Sequence, residues 1–258
     1  MNYILIRLFF ALSDSFTRNK FEFSKIISIP TLLLVVLIQG CASIPPRNPL
    51  PAESGNEAQI AGIPNARYWG DMAPPYTDAW LTTSKAEIRQ RYSGIYGKRH
   101  HYLAISGGGA NGAFGAGLLV GWSAAGTRPQ FTMVTGISTG ALSAPFAFLG
   151  AEYDDELKEV YTRYTTKDFM AKNSKIKTLT GDSIADTAPL RAMIARYIDN
   201  EVVKAIAQEY RKGRILYIGT TNLDAQRPVI WNIGLIAASG MPGARDLIHD
   251  IMLASASI

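Results

Sequence analysis

Two short stretches of this 258-residue sequence combine residue types and spacing that could do chemistry. Gly136-Ile137-Ser138-Thr139-Gly140 is a G-x-S-x-G elbow, in which a sharp strand-to-helix turn holds a serine hydroxyl in the open. Gly107-Gly108-Gly109-Ala110-Asn111-Gly112 lies upstream and offers a row of backbone N–H groups at a helix start. Such a row suits a developing oxyanion. Together they point to acyl transfer from Ser138. Gly136 and Gly140 fit an elbow whose tight backbone leaves no room for side chains.

Each motif needs a strand before it and a helix after it, and the flanking sequence supplies both. His101 to Ser106 reads as a strand and Ala110 to Ala125 as a helix. That helix is rich in Gly and Ala, which costs helix propensity and is expected where a backbone must approach a sheet or a substrate closely. Phe131 to Thr135 is the next strand, and Thr139 toward Phe148 the next helix, with Pro145 expected to kink it. Leu157, Val160, Tyr161 and Tyr164 share one helical face, as do Leu190, Met193, Ile194, Tyr197 and Ile198. Asp186 or Thr187 is placed to cap the second of these, with Pro189 in its first turn. Arg214 to Thr220 and Pro228 to Ile233 read as strands around an Asn222–Asp224 turn. Asp246 to Ala254 reads as a helix burying Leu247, Ile248, Ile251 and Met252. Strands alternating with helices imply an α/β fold with a mostly parallel sheet covered on both faces.

Residues 42–98 differ in character. Prolines 45, 46, 49, 51, 64, 74 and 75 exclude a long helix or a central strand. This stretch reads as a tether and then an arm packing on the main domain of residues 99–258 through Tyr68, Trp69, Tyr76, Trp80 and Tyr92. Ahead of it, Ile26 to Ile38 is almost purely apolar and follows Lys20 and Lys25. That stretch is too short to span a bilayer but has the length of a signal-peptide core. It runs into Leu37-Ile38-Gln39-Gly40-Cys41, which resembles a bacterial lipobox. The resemblance implies that residues 1–41 are a signal peptide with its lipobox, cleaved before Cys41, with lipidation of Cys41 and anchoring on the periplasmic side of the cell envelope. The competing reading is an uncleaved apolar anchor with an incidental cysteine.

Composition narrows the remaining classes. A net charge of +5 with scattered basic residues gives no case for nucleic-acid binding. A single cysteine excludes an intramolecular disulfide, and three histidines with that cysteine do not make a metal site. A dinucleotide cofactor would use the G-x-G-x-x-G turn, but it wants an acidic residue about 20 positions further on. No Asp or Glu occurs between Glu87 and Glu152. No metal or organic cofactor is expected, and the acid-free stretch favours an anionic lipid head group.

The run Ile105-Ser106-Gly107-Gly108-Gly109-Ala110-Asn111-Gly112-Ala113, taken with Gly136-Ile137-Ser138-Thr139-Gly140-Ala141-Leu142, resembles the patatin-like phospholipase family. Thr220-Thr221-Asn222-Leu223-Asp224, Asp186-Thr187-Ala188-Pro189-Leu190 and Ala254-Ser255-Ala256-Ser257-Ile258 look like further landmarks of it. The resemblance covers roughly residues 99–258. It implies a three-layer α/β/α fold and hydrolysis of phospholipid or other lipid esters by a Ser–Asp dyad without histidine, with Ser138 as nucleophile and the amides of Gly107, Gly108 and Gly109 as the oxyanion hole. The family's aspartate lies in a D-G-[AG] motif after an A-S-x-A segment. This sequence has no Asp-Gly pair and reaches Ile258 inside that segment. The expectation is therefore a fold incomplete at its C-terminus and a dyad aspartate beyond residue 258.

Two further readings follow. A truncated membrane lipoprotein that keeps the fold without turnover is the alternative class. Ser138, then Asp182 or Asp224, then His249 also gives the chain order of an α/β-hydrolase triad. Against that order, His249 sits between Asp246 and Asp250 on what reads as the polar side of its helix. His100 and His101 read as a solvated edge, and Asp224 as a turn residue.

Overall fold

The structure, a computed structural model, describes residues 49–164, 168, 171–172 and 185–257. The expected leader with Cys41, the first part of the expected tether, and Asp182 lie outside the described residues.

The first described strand, β1 (Arg67–Trp69), belongs to the arm, and two short helices follow it, α1 (Thr77–Thr82) and α2 (Lys85–Arg91). Helix α2 starts with a full capping box: Ser84 accepts from the Glu87 N–H, and Glu87 accepts from the Ser84 N–H. Strand β2 (Tyr102–Ile105) leads through a 3₁₀ turn at Gly109–Asn111 into α3 (Gly112–Ala124). Strand β3 (Met133–Ile137) leads through Ser138 into α4 (Thr139–Leu149), and α5 (Asp154–Thr162) follows. A separate antiparallel pair, β4 (Ala171–Lys172) and β5 (Ala185–Asp186), precedes α6 (Ala188–Tyr197) and α7 (Asn200–Arg211). The last described elements are β6 (Ile215–Asn222), β7 (Arg227–Asn232), α8 (Ile233–Ala238) and α9 (Ala244–Ala256).

The main sheet has the order β1-β7-β6-β3-β2. Strands β2, β3 and β6 are parallel, with Ile105 opposite Gly136 and Ile137 opposite Gly219. Strand β7 returns antiparallel to β6 as a hairpin, and β1 pairs antiparallel with β7 at the edge, where a proline-rich segment can contribute a strand. Along β6, Leu216, Tyr217 and Ile218 are buried in succession although their side chains alternate between faces. Both faces of the sheet are therefore covered, which is the α/β architecture the sequence implies. Helix α4 is buried at every position, the mark of a core helix, and it runs on through Pro145 to Leu149. Its C-terminal end is held by Arg214, a buried guanidinium that donates to the carbonyls of Phe131 and Phe148 and pairs with Glu209 at 2.6 Å. Burial lowers the Arg214 pKa, and the Glu209 carboxylate opposes that shift.

Most of the expected elements form, and several details differ. The arm packs through Trp69, whose indole N–H donates to the Gly55 carbonyl and whose ring lies under the guanidinium groups of Arg67 and Arg227. Tyr76 reaches the sheet through a 2.5 Å hydroxyl contact with Tyr217. Trp80, expected to pack, is 50% exposed, because α1 buries none of its residues. Thr187 occupies the N-cap of α6, but its side chain makes no capping bond, since its backbone is already αR rather than extended. In α3, close approach applies to Gly112 alone: a Cβ built on Gly115, Gly117 or Gly121 meets nothing within 4 Å. Helix α7, absent from the sequence reading, starts on Asp199, whose carboxylate accepts from the N–H groups of Glu201 and Val202.

Candidate active site

The parallel strands β2 and β3 end side by side, and both glycine motifs occupy their C-terminal ends. Ser138 turns the chain out of β3 with φ 56° and ψ −126°, a backbone region that a side-chain-bearing residue rarely adopts. Asn65 and Gln226 are the other non-glycine residues with positive φ among those described. Such strain costs on the order of 1–3 kcal/mol and concentrates at functional sites. The turn is sharp because Gly140 lets the start of α4 press against β2: a Cβ there would stand 2.3 Å from the Ile105 carbonyl oxygen. Gly136 permits the other half of the turn, since its Cβ would lie 2.4 Å from the Gly140 oxygen.

The glycine loop meets the serine directly. A Cβ built on Gly107 would lie 2.8 Å from Ser138 Cβ and 3.4 Å from its Oγ. Gly107 and Gly108 are exposed, and among the described residues their N–H groups donate to no protein acceptor. Gly109, with φ 53°, turns the loop into the 3₁₀ segment. The two motifs therefore share one space at the end of the sheet.

Ser138 is half-buried, and its Oγ makes no hydrogen bond among the described residues. The first turn of α4 behind it is pinned by Tyr161 from α5. The Tyr161 hydroxyl lies 2.8 Å from the Thr139 carbonyl oxygen, 2.9 Å from Thr139 Oγ1 and 2.8 Å from Ser143 Oγ. Burial pushes the Tyr161 pKa upward, so the hydroxyl stays protonated and keeps donating. Gly112 makes room for this cluster, since its Cβ would fall 2.3 Å from Thr139 Oγ1. Removing the hydroxyl in Y161F leaves buried acceptors unpaired and should cost about 1–2 kcal/mol, read as a lower urea midpoint at unchanged m-value.

The histidines take no part in this geometry. His249 is buried rather than solvated, with Nε2 2.7 Å from the Ile198 carbonyl oxygen. That carbonyl ends α6, so the ring satisfies a helix terminus and is not paired with Ser138. The helical period alone placed it beside Asp246 and Asp250 on a polar face. The packing of α6 against α9 overrides that placement. His100 is exposed beside the start of β2, stacked on Tyr102. The Thr132 N–H bonds to His101 O, which puts both histidines at the opposite end of the strands, about 20 Å from Ser138 at strand rise. Asp224 lies in the exposed β6–β7 turn. Among the described residues there is no cluster of three or more potential metal ligands. Sequence reasoning missed one contact: Ser255 on α9 reaches the elbow itself.

The site is thus a serine on a strained strand-to-helix elbow at the end of a parallel sheet, beside loop amides that bond to nothing among the described residues of this α/β protein. The family model for patatin-like phospholipases matches residues 103–258, and the chain belongs to that family. Membership makes it a protein of the lipid-hydrolase kind, from a family that acts on lipid substrates. Comparison with curated proteins finds no match.

Proposed function

We propose that this chain is a lipid acyl hydrolase of the phospholipase A or esterase type, with Ser138 as its nucleophile. In the acylation step Ser138 Oγ bonds to the ester carbonyl carbon and gives up its proton. The carbonyl oxygen becomes an oxyanion held by the amides of Gly107, Gly108 and Gly109. Collapse of that intermediate breaks the bond to the alcohol, which leaves with a proton, and water later releases the fatty acid from the acyl-serine. On the family resemblance, the proton acceptor is the aspartate of a D-G-[AG] motif. No metal or organic cofactor enters these steps.

One observation carries the proposal: Gly107 abuts the Ser138 side chain while its own N–H is uncommitted. A fluorophosphonate probe should label wild-type chain at Ser138 and leave S138A unlabelled. Equal background hydrolysis of a nitrophenyl ester by both proteins, with no labelling, favours the inert-lipoprotein reading.

The lipobox-like run adds a location. In this proposal Cys41 is lipidated at the bacterial envelope, residues 42–98 form the tether and arm, and residues 99–258 carry the chemistry near membrane phospholipid. Metabolic labelling with a fatty-acid analogue in a bacterial host should mark the wild-type chain and not C41A. Equal incorporation in the two contradicts the anchor.

A further inference from the structure

The elbow is held from behind by a residue outside both glycine motifs. Ser255, in the last turn of α9, accepts a 2.9 Å hydrogen bond from the Ser138 N–H. The same hydroxyl donates to the Gly219 carbonyl oxygen at 2.6 Å. Gly219 is opposite Ile137 in the last register pair of β3 and β6. A single side chain thus relays the first N–H beyond the β3 ladder onto the neighbouring strand, and it ties α9 to both. A hydroxyl suits this relay because it can accept from an amide while donating its one proton to a carbonyl.

We infer that Ser255 is a positioning residue for the Ser138 nucleophile. Two consequences follow from its bonds. The positive-φ backbone of Ser138 is held by an anchor independent of β3, which fixes where Oγ points. The Ser138 N–H is also occupied, so the oxyanion must rely on the Gly107–Gly109 amides. This role rests on the reading of Ser138 as nucleophile, and its test separates the two.

The experiment measures fluorophosphonate labelling of the full chain, resolved into probe affinity and the first-order bonding rate. The proteins are wild type, S138A, S255A and S255T, each with a melting temperature. S255A should bond about tenfold more slowly at unchanged probe affinity, since one positioning bond is lost without touching the probe. S255T keeps a hydroxyl at a half-buried position and should recover to within about threefold of wild type. A merely structural role would lower the melting temperature without this hydroxyl-specific split in rate. Wild type labelled at Ser138 with S255A equally fast, or with S255T as slow as S255A, overturns the positioning role alone. Wild type unlabelled at Ser138 overturns the nucleophile reading and the positioning role with it. Should S255A not fold, amide exchange in wild type decides. The Ser138 N–H should exchange at least about a hundredfold slower than an unstructured amide, and unprotected exchange overturns the inference.

Discussion

S138A should lose ester hydrolysis by at least about a thousandfold while remaining folded, because in the proposed mechanism it removes a nucleophile that acts as a unit with its partners and so abolishes their contribution as well. The strained backbone makes the comparison with S138G informative. Alanine keeps a Cβ and so keeps the cost of φ 56°, and its stability should stay near wild type. Glycine adopts that conformation freely, so S138G should be equally inactive yet more stable, by about 1 kcal/mol. Inactivity together with a gain in stability would mean that the fold bears strain at residue 138 for the sake of the hydroxyl. Urea unfolding of the three proteins alongside nitrophenyl ester assays reads both quantities. An S138A protein with wild-type turnover contradicts the assignment, and an S138G protein less stable than S138A contradicts the strain.

The second large effect is expected at Gly107. Alanine there would place a methyl group 2.8 Å from Ser138 Cβ, inside contact distance and against an atom with no freedom to swing away. Either the loop retreats from the serine or the serine turns from the loop, and each motion separates the proposed nucleophile from its proposed oxyanion donors. A displacement of about 1 Å at a reacting centre costs roughly a hundredfold in rate, so G107A should lower kcat/KM by about that factor. Overpacking typically costs about 1–3 kcal/mol, and because the loop is exposed and can give way the loss should fall at the low end of that range. A kinetic loss of about a hundredfold with only about 1 kcal/mol of lost stability is therefore the expected signature. Wild-type kcat/KM in G107A would show that loop and serine do not act on the same carbonyl.

What could be read from the sequence follows from how local each constraint is. The elbow and the glycine loop were legible because their steric demands exclude every residue but glycine at Gly107, Gly112, Gly136 and Gly140. Helices α5 and α6 were legible because their apolar residues repeat at the helical period. Contacts between distant segments left no such trace. Ser255 lies 117 residues from Ser138, and nothing in the Ala254–Ile258 segment shows that its hydroxyl reaches the elbow. His249 was misplaced for the same reason. Its neighbours Asp246 and Asp250 mark a polar face, but the Ile198 carbonyl it caps lies on another helix. Trp69 and Trp80 look alike as sequence. One pairs along the sheet edge under two guanidinium groups and the other sits on a helix with no buried residue. Helix α7 is a different case, since Asp199 as cap with Val202 and Ile206 four residues apart is a local signal that went unread.

The most direct measurement is a crystal structure of the chain after reaction with a phosphonate ester, whose tetrahedral phosphorus stands in for the attacked carbonyl carbon. Phosphorus should be bonded to Ser138 Oγ, with the phosphoryl oxygen about 2.7–3.1 Å from at least one N–H among Gly107, Gly108 and Gly109. Phosphorus on another residue, or a phosphoryl oxygen turned away from those three amides, would contradict the proposed mechanism.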